Sequence, residues 1–406
     1  MNQFFLGLLC LMVLNACASS SAISADRAKT FKAGQQAIDL AQDSIIVDGH
    51  IDVPYRVHDE WVDVTEATED GDFDYPRAKA GGLNAPFMSI YVPSKLDGTE
   101  ASTQTAHQLI DHVEAIVARA PDRFAIATSA DDVEMHFAKG LISLPLGMEN
   151  GAPVNGDLTR LSEFYDRGIR YITLTHAKSN EISDSSYDEA RPNGGLSAFG
   201  KEVVREMNRL GIMVDISHVS DEAFYDAIEV TQVPMIASHS SLRTFTPGFE
   251  RNMDDDMVKA LAKNGGVIMI NFGSTFLTAE ARVWSDARSA ALKPVEEKYG
   301  EESDQVAQFK KDYRAANPLP FATLQDVMKH IDYAVKLVGV DHVGLGSDYD
   351  GVGDSLPEGM KDASTYPNLV QALLDHNYSE DDIRKILGGN ALRVWRAVEA
   401  FAQQAE

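Results

Sequence analysis

Hydrophobic and polar positions along the chain follow two alternating periods. Short, largely apolar runs rich in Val, Ile and Leu lie at 44–47, 85–91, 141–146, 171–174, 212–215, 234–237, 266–271 and 342–346. Stretches with helical spacing separate most of them, at about 102–120, 158–168, 196–210, 221–230, 254–264 and 323–338. A largely apolar run without strict polar alternation reads as a strand covered on both faces, as in a parallel sheet with helices packed outside it. Eight such runs alternating with helices predict an α/β fold, a TIM-type (β/α)8 barrel rather than a doubly wound sheet. An amphipathic helix at 26–43 leads into the barrel. The charged, Ala-rich stretch 273–321 predicts a helical excursion after the seventh strand, and trailing helices fill 367–405. With no interdomain linker in sight, 26–406 reads as a single domain.

The N-terminus has a different pattern. Residues 1–16 carry no charged side chain, and the apolar run 4–14 is too short to span a bilayer. It fits the core of a secretory signal. Leu14-Asn15-Ala16-Cys17 resembles a bacterial lipobox, so Cys17 would carry a lipid after cleavage before it, with 17–25 as a polar tether. Asn15 and the lack of a basic residue after Met1 depart from that pattern. The expectation is an exported protein, held in the periplasm or at the outer membrane as a lipoprotein. Cys10 and Cys17 are the only cysteines, so no disulfide framework holds the mature fold. The formal charge of −26 sets the chain against nucleic acid and anionic lipid surfaces, which leaves the lipid as its membrane contact.

In a barrel of this kind chemistry sits where the strands end. The first run is followed by Asp48-Gly49-His50-Ile51-Asp52, with His50 and Asp52 alternating onto one side. The third is followed by Gly147-Met148-Glu149-Asn150-Gly151. His176, His218 and His239 follow the fourth, fifth and sixth, and Ser347-Asp348-Tyr349-Asp350 follows the eighth. One histidine at a strand end is more often structural than functional. Seven metal- or proton-competent groups at one end of a barrel are a site. Imidazole and carboxylate suit zinc. Three histidines and two carboxylates are too many for one open zinc centre. Sharing Glu149 gives two sets: His50, Asp52 and Glu149, then Glu149, His218 and His239. Two zinc ions per chain, bridged by Glu149, would clamp a bridging hydroxide as nucleophile.

This set resembles the membrane (renal) dipeptidase family of zinc peptidases, within the amidohydrolase-type barrels. The matching stretches run from Ile46 to Trp395: DGHIDVP, GMENG, YITLTHAKSN, DISHVS, IASHSS, RNMDDD, GLGSDYDG and GGNALRV. The resemblance implies that His50 and Asp52 bind one zinc, that His218 and His239 bind the other, and that Glu149 bridges them. It implies that His176 contacts the substrate and its oxyanion. Arg251, with Asn252 beside it, would grip the substrate's carboxylate, and Asp348 would shuttle protons, with Asp350 its competitor. The substrate would be a dipeptide with a free carboxylate, including D-residues at its C-terminal side. A homodimer is a further family expectation. Mammalian members carry disulfides and a C-terminal lipid anchor, neither of which is expected here, and Asn150-Gly151 stands where others often have a second Gly.

A deaminase or lactonase of the same barrel class is the nearest rival. Those enzymes often begin with H-x-H and bridge their metals through a carbamylated Lys, for which Lys178 would be the candidate. Here the first pair is His-x-Asp and Glu149 is available as the bridge. A non-catalytic, metal-stabilised lipoprotein would be expected to have lost a ligand or the proton shuttle, and every position is filled.

Overall fold

The computed structural model describes residues 31–301 and 303–405. The expected signal at 1–16, the tether at 17–25 and Cys17 lie outside the described residues. Residues 33–406 form one compact unit. Among the described residues there are ten strands: β1 (Ile46–Ile51), β2 (Leu83–Tyr91), β3 (Phe124–Ile126), β4 (Ile142–Leu144), β5 (Leu146–Glu149), β6 (Ile169–Thr173), β7 (Met213–Asp215), β8 (Ile236–Ser240), β9 (Val267–Ile270) and β10 (Val343–Leu345). Eight of them close a parallel barrel in the order β1-β10-β9-β8-β7-β6-β5-β2. Helices pack around it, as a (β/α)8 barrel requires. Among the described residues, no helix is long and apolar enough to cross a membrane.

Three departures from the sequence reading have physical causes. The run at 141–146 is two strands, because Pro145 has no N–H to continue a ladder. Its carbonyl accepts from Met88 N–H at 2.8 Å, and the chain then joins the barrel at Leu146. Upstream, β4 pairs with the three-residue β3 in a separate two-stranded sheet. Second, β1 and β8 run further than the apolar patches suggest, so His50 and His239 lie inside strands rather than after them. Third, Val53–Asp59 and Tyr75–Gly81 are helices too short to show a period, each with Pro at its first turn.

The 273–321 excursion is helical as expected, with Ser274–Leu277, Ala279–Tyr299 and Asp304–Ala316. The C-terminal helix Asn390–Ala405 carries Trp395, which is 1% exposed. Its ring lies 5.3 Å from Phe87, and Phe87 lies 5.2 Å from Tyr171. These mutually tilted rings are buried together in one apolar core cluster. Burying rings of this size supplies a large share of the apolar surface removed from water.

Candidate active site

Short connections place the polar side chains. Only five residues separate β7 from the helix Asp221–Val230, whose N-terminus is capped by the Ser220 side chain. His218 sits in that link at φ 71°, and Asp348 follows β10 at φ 63°. A left-handed backbone is tolerable for Asp but costs a histidine on the order of 1 kcal/mol. Such strain persists where the surroundings over-determine it. Asp52 leaves β1 as its N–H donates to Tyr349 O, 2.9 Å away, and it opens the helix Val53–Asp59.

Glu149, at the end of β5 and 4% exposed, is the centre of the cluster. Its Oε2 lies 3.3 Å from His50 Nε2, which is itself 3.4 Å from Asp52 Oδ2. Its Oε1 lies 3.1 Å from His218 Nε2, 3.4 Å from His239 Nε2 and 3.5 Å from His176 Nε2. One carboxylate therefore turns one oxygen to His50 and the other to three further imidazoles. Three sets of candidate ligand atoms lie within 4.8 Å of one another: His50, Glu149 and His239; Glu149, His176 and His218; and His50, Asp52 and Asp348.

The chemistry of this set fits divalent cations. The Nε2 atoms of His218 and His239 face each other at 2.9 Å, and His50 Nε2 is buried without a hydrogen-bond partner. Asp52, Glu149 and Asp348 bring three carboxylates into a space where unpaired charge is costly. Burial, Arg251 and the neighbouring His176 hold His218 well below the usual imidazole range. Burial, His50 and Arg251 do the same for His239. Burial opposes charge on Glu149, but the surrounding imidazoles of His50, His176, His218 and His239 outweigh it and hold the carboxyl well below its usual range. Neutral imidazoles around an ionised carboxylate are the protonation states metal ligands need. His50 is the exception. Burial favours its neutral form, yet Tyr171, Glu149 and Asp52 raise it well above the usual value.

The remaining candidates divide. His176 lines the cavity, its ring 4.3 Å from His218 and 4.8 Å from Tyr91. Asp348 is 8% exposed, and its Oδ2 accepts from Asn271 Nδ2 at 2.7 Å. Burial and the nearby Asp52 push its carboxyl up to about 7. Asp350 also lines the cavity, with its Oδ1 accepting from Arg56 Nη1 and from Asp72 N–H, both at 2.7 Å, and its Oδ2 buried without a partner. Arg251 is buried, with Nη1 donating to Ser240 Oγ at 2.6 Å and Nη2 to His239 O at 2.9 Å. Its Nε has no partner. Gly351 allows a close approach: a Cβ there would lie 2.2 Å from Asp52 Oδ2 and 2.3 Å from Asp348 Oδ1.

Asn252 does not join the site. Its Oδ1 accepts from Ser241 N–H, and its Nδ2 donates to Thr246 Oγ1 and Phe276 O. Fully buried, with both amide hydrogens engaged, it ties its own loop together, and the expected substrate contact is withdrawn. Lys178 is 66% exposed and lies 4.0 Å from Asp188, away from the cluster. Residues the sequence reading did not single out are present: Asn271 on Asp348, Tyr171 on His50, and Tyr91 and Tyr187 on the cavity wall. Neutral polar residues inside or beside apolar strands carry no titratable signal to mark them. The cavity above the cluster measures about 1110 Å³, and Phe276 and Trp284 of the helical excursion form part of its wall.

Comparison with known proteins adds three kinds of likeness. The family described as membrane dipeptidase (peptidase family M19) matches residues 34–406. Dipeptidase aclJ of Aspergillus oryzae is 34% identical over 372 residues, covering 88% of this chain and 79% of the relative. The crystal structure of the probable dipeptidase PvdM from Pseudomonas aeruginosa is 25% identical, with a TM-score of 0.78 over 91% of this chain and 98% of that one. The fold is also that of a Rhodobacter sphaeroides metallopeptidase solved with a phosphinate mimic of the dipeptide L-Ala-D-Ala, with 24% identity and a TM-score of 0.72 over 88% of this chain and 100% of that one.

Proposed function

The chain belongs to the membrane dipeptidase family and is a metallo-dipeptidase, and we propose from that premise that it works with two zinc ions on dipeptides bearing a free C-terminal carboxylate. One observation carries the reading: Glu149 presents Oε2 to His50 and Oε1 to His218 and His239. His50 and Asp52 would hold one ion, His218 and His239 the other, and Glu149 would bridge them. Bound zinc would supply the Lewis acidity that makes water nucleophilic near neutral pH.

The chain's own groups supply the rest. His176, kept neutral by burial, is placed to donate its Nε2 hydrogen to a carbonyl oxygen that becomes negative. Asp348, poised at about 7 and steadied by Asn271, is suited to deliver a proton to the leaving amine. Arg251 is pre-positioned by Ser240 and His239 O, and its planar fork suits a terminal carboxylate. A residue held there by its carboxylate would still have the wide cavity for an L or a D side chain. The phosphinate held by the Rhodobacter sphaeroides protein makes L-Ala-D-Ala the first D-containing substrate to try. Export with a lipid on Cys17 completes the proposal.

The test is hydrolysis of L-Ala-L-Ala, L-Ala-D-Ala, an amidated dipeptide and a tripeptide, each after chelation and after zinc is restored. Zinc-dependent cleavage of the two free dipeptides alone supports the reading. Equal cleavage of the amidated dipeptide removes the carboxylate clamp, and cleavage undiminished by chelation removes the metal.

A further inference from the structure

Two buried hydroxyl groups, those of Ser238 and Tyr171, lie against the Nδ1 atoms of His239 and His50. Asp215, at the end of β7 and fully buried, accepts four hydrogen bonds. Its Oδ1 takes the backbone N–H groups of Ser217 at 3.1 Å and Ser238 at 2.8 Å. Its Oδ2 takes the hydroxyls of Thr173 at 2.5 Å and Ser238 at 2.6 Å. Ser238 has a single hydroxyl hydrogen, and the carboxylate holds it. The bond of 2.7 Å between Ser238 Oγ and His239 Nδ1 must then be donated by the imidazole. That leaves Nε2 of His239 with its lone pair facing Glu149.

Tyr171 repeats the arrangement on the other side of the cluster. Its hydroxyl donates to Gly49 O at 3.1 Å and lies 2.8 Å from His50 Nδ1, so with its one hydrogen on the carbonyl it is left to accept from the imidazole. Its ring reaches this place because the residue across from it on β5 is Gly147, where a Cβ would lie 2.0 Å from the Tyr171 ring. His218 has no such support. Its Nδ1 is buried without a partner, and its backbone, at φ 71°, fixes its direction instead.

We propose that Asp215, acting through Ser238, and Tyr171 are positioning residues that keep a hydrogen on Nδ1 of His239 and of His50 and so present both Nε2 atoms to the metal cluster. The inference rests on the two-zinc reading of that cluster. Metal-bound histidines generally need such a partner on the second nitrogen, and losing it costs about 10–100-fold in metal affinity.

The discriminating variant is Asp215→Asn. The two backbone N–H groups require an acceptor at the Oδ1 position, so the new amide nitrogen takes the place of Oδ2. It then donates to Ser238, the Ser238 hydroxyl turns to donate to His239 Nδ1, and the imidazole hydrogen moves to Nε2. In metal-stripped, 15N-histidine-labelled full-length protein, one histidine should exchange its pyrrole-type and pyridine-type nitrogen signals. Competition against a chromophoric chelator should show one of the two zinc ions held about 10–100-fold more weakly, with the thermal unfolding of the stripped protein little changed. Ser238→Ala, which removes the acceptor, should weaken the same ion, and Tyr171→Phe the other. Unchanged nitrogen signals in Asp215→Asn, or unchanged zinc affinity in both Asp215→Asn and Ser238→Ala, overturns the proposal. A wild-type chain that binds no zinc instead overturns the metal reading, and the nitrogen signals still decide the tautomer.

Discussion

Two sets of buried histidines in this molecule differ in how completely their rings are satisfied. His330, in the helix Leu324–Val338, is fully buried. Its Nδ1 accepts from Leu242 N–H at 3.1 Å, which leaves Nε2–H to donate to Leu277 O at 3.0 Å. Nothing about it asks for a ligand. At the barrel mouth, His50 Nε2, His176 Nδ1 and His218 Nδ1 have no hydrogen-bond partner, and two Nε2 atoms face each other at 2.9 Å. Buried polar atoms without partners cost free energy of about 1–3 kcal/mol each. Burial alone therefore says little about a histidine. Unmet bonding capacity beside carboxylates marks a place built to be completed by something else.

The contrast is broken most severely at Glu149. In Glu149→Gln the cluster loses the charge that both sides share, and we expect zinc content to fall below two per chain by elemental analysis. Turnover should fall with it by about 10⁴-fold, in line with the several kcal/mol that metal ions contribute. Asp348→Asn should separate chemistry from assembly. Both zinc ions should stay while kcat drops by about 10²–10⁴-fold, the range of general acid catalysis. Near-normal kcat would remove Asp348 from the proton path.

His330 sharpens the other half of the contrast. Burial lowers its pKa to about 4, against an ordinary 6.5. Between those values the unfolded chain binds the proton and the folded chain does not, so this group's contribution to stability rises with pH across that window. It is fully present above about 6.5 and lost as pH falls to about 4, a change of about 3 kcal/mol. Thermal unfolding from pH 4 to pH 7 should show that slope in the wild type and a shallower one in His330→Gln. The smallest effect is expected from Arg251→Lys. A point charge in place of the planar fork should reduce kcat/KM by about 10–100-fold and narrow the preference for free over amidated dipeptides. An unchanged preference would take the carboxylate away from Arg251.

Much of this was legible in the chain because the fold and the cluster both repeat. Eight apolar runs marked the barrel, and the residues after them placed His50, Asp52, Glu149, His176, His218, His239 and Asp348 at one end. What stayed hidden follows from short range and neutral chemistry. Pro145 lies inside an apolar run and splits it, and the three residues of β3 are too few to show a period. Asn252 sits beside Arg251 in sequence, yet its side chain turns into its own loop, which adjacency could not reveal. Tyr171, Ser238 and Asn271 lie within or beside apolar strands, where a hydroxyl or an amide looks like filler until its partner across the barrel is known.

The claim that two cations share Glu149 is tested most directly by adding zinc stepwise to metal-stripped protein while following hydrolysis of L-Ala-L-Ala. The account predicts activity that climbs to a plateau at two equivalents of zinc per chain. Full activity at one equivalent, or without any metal, would contradict it.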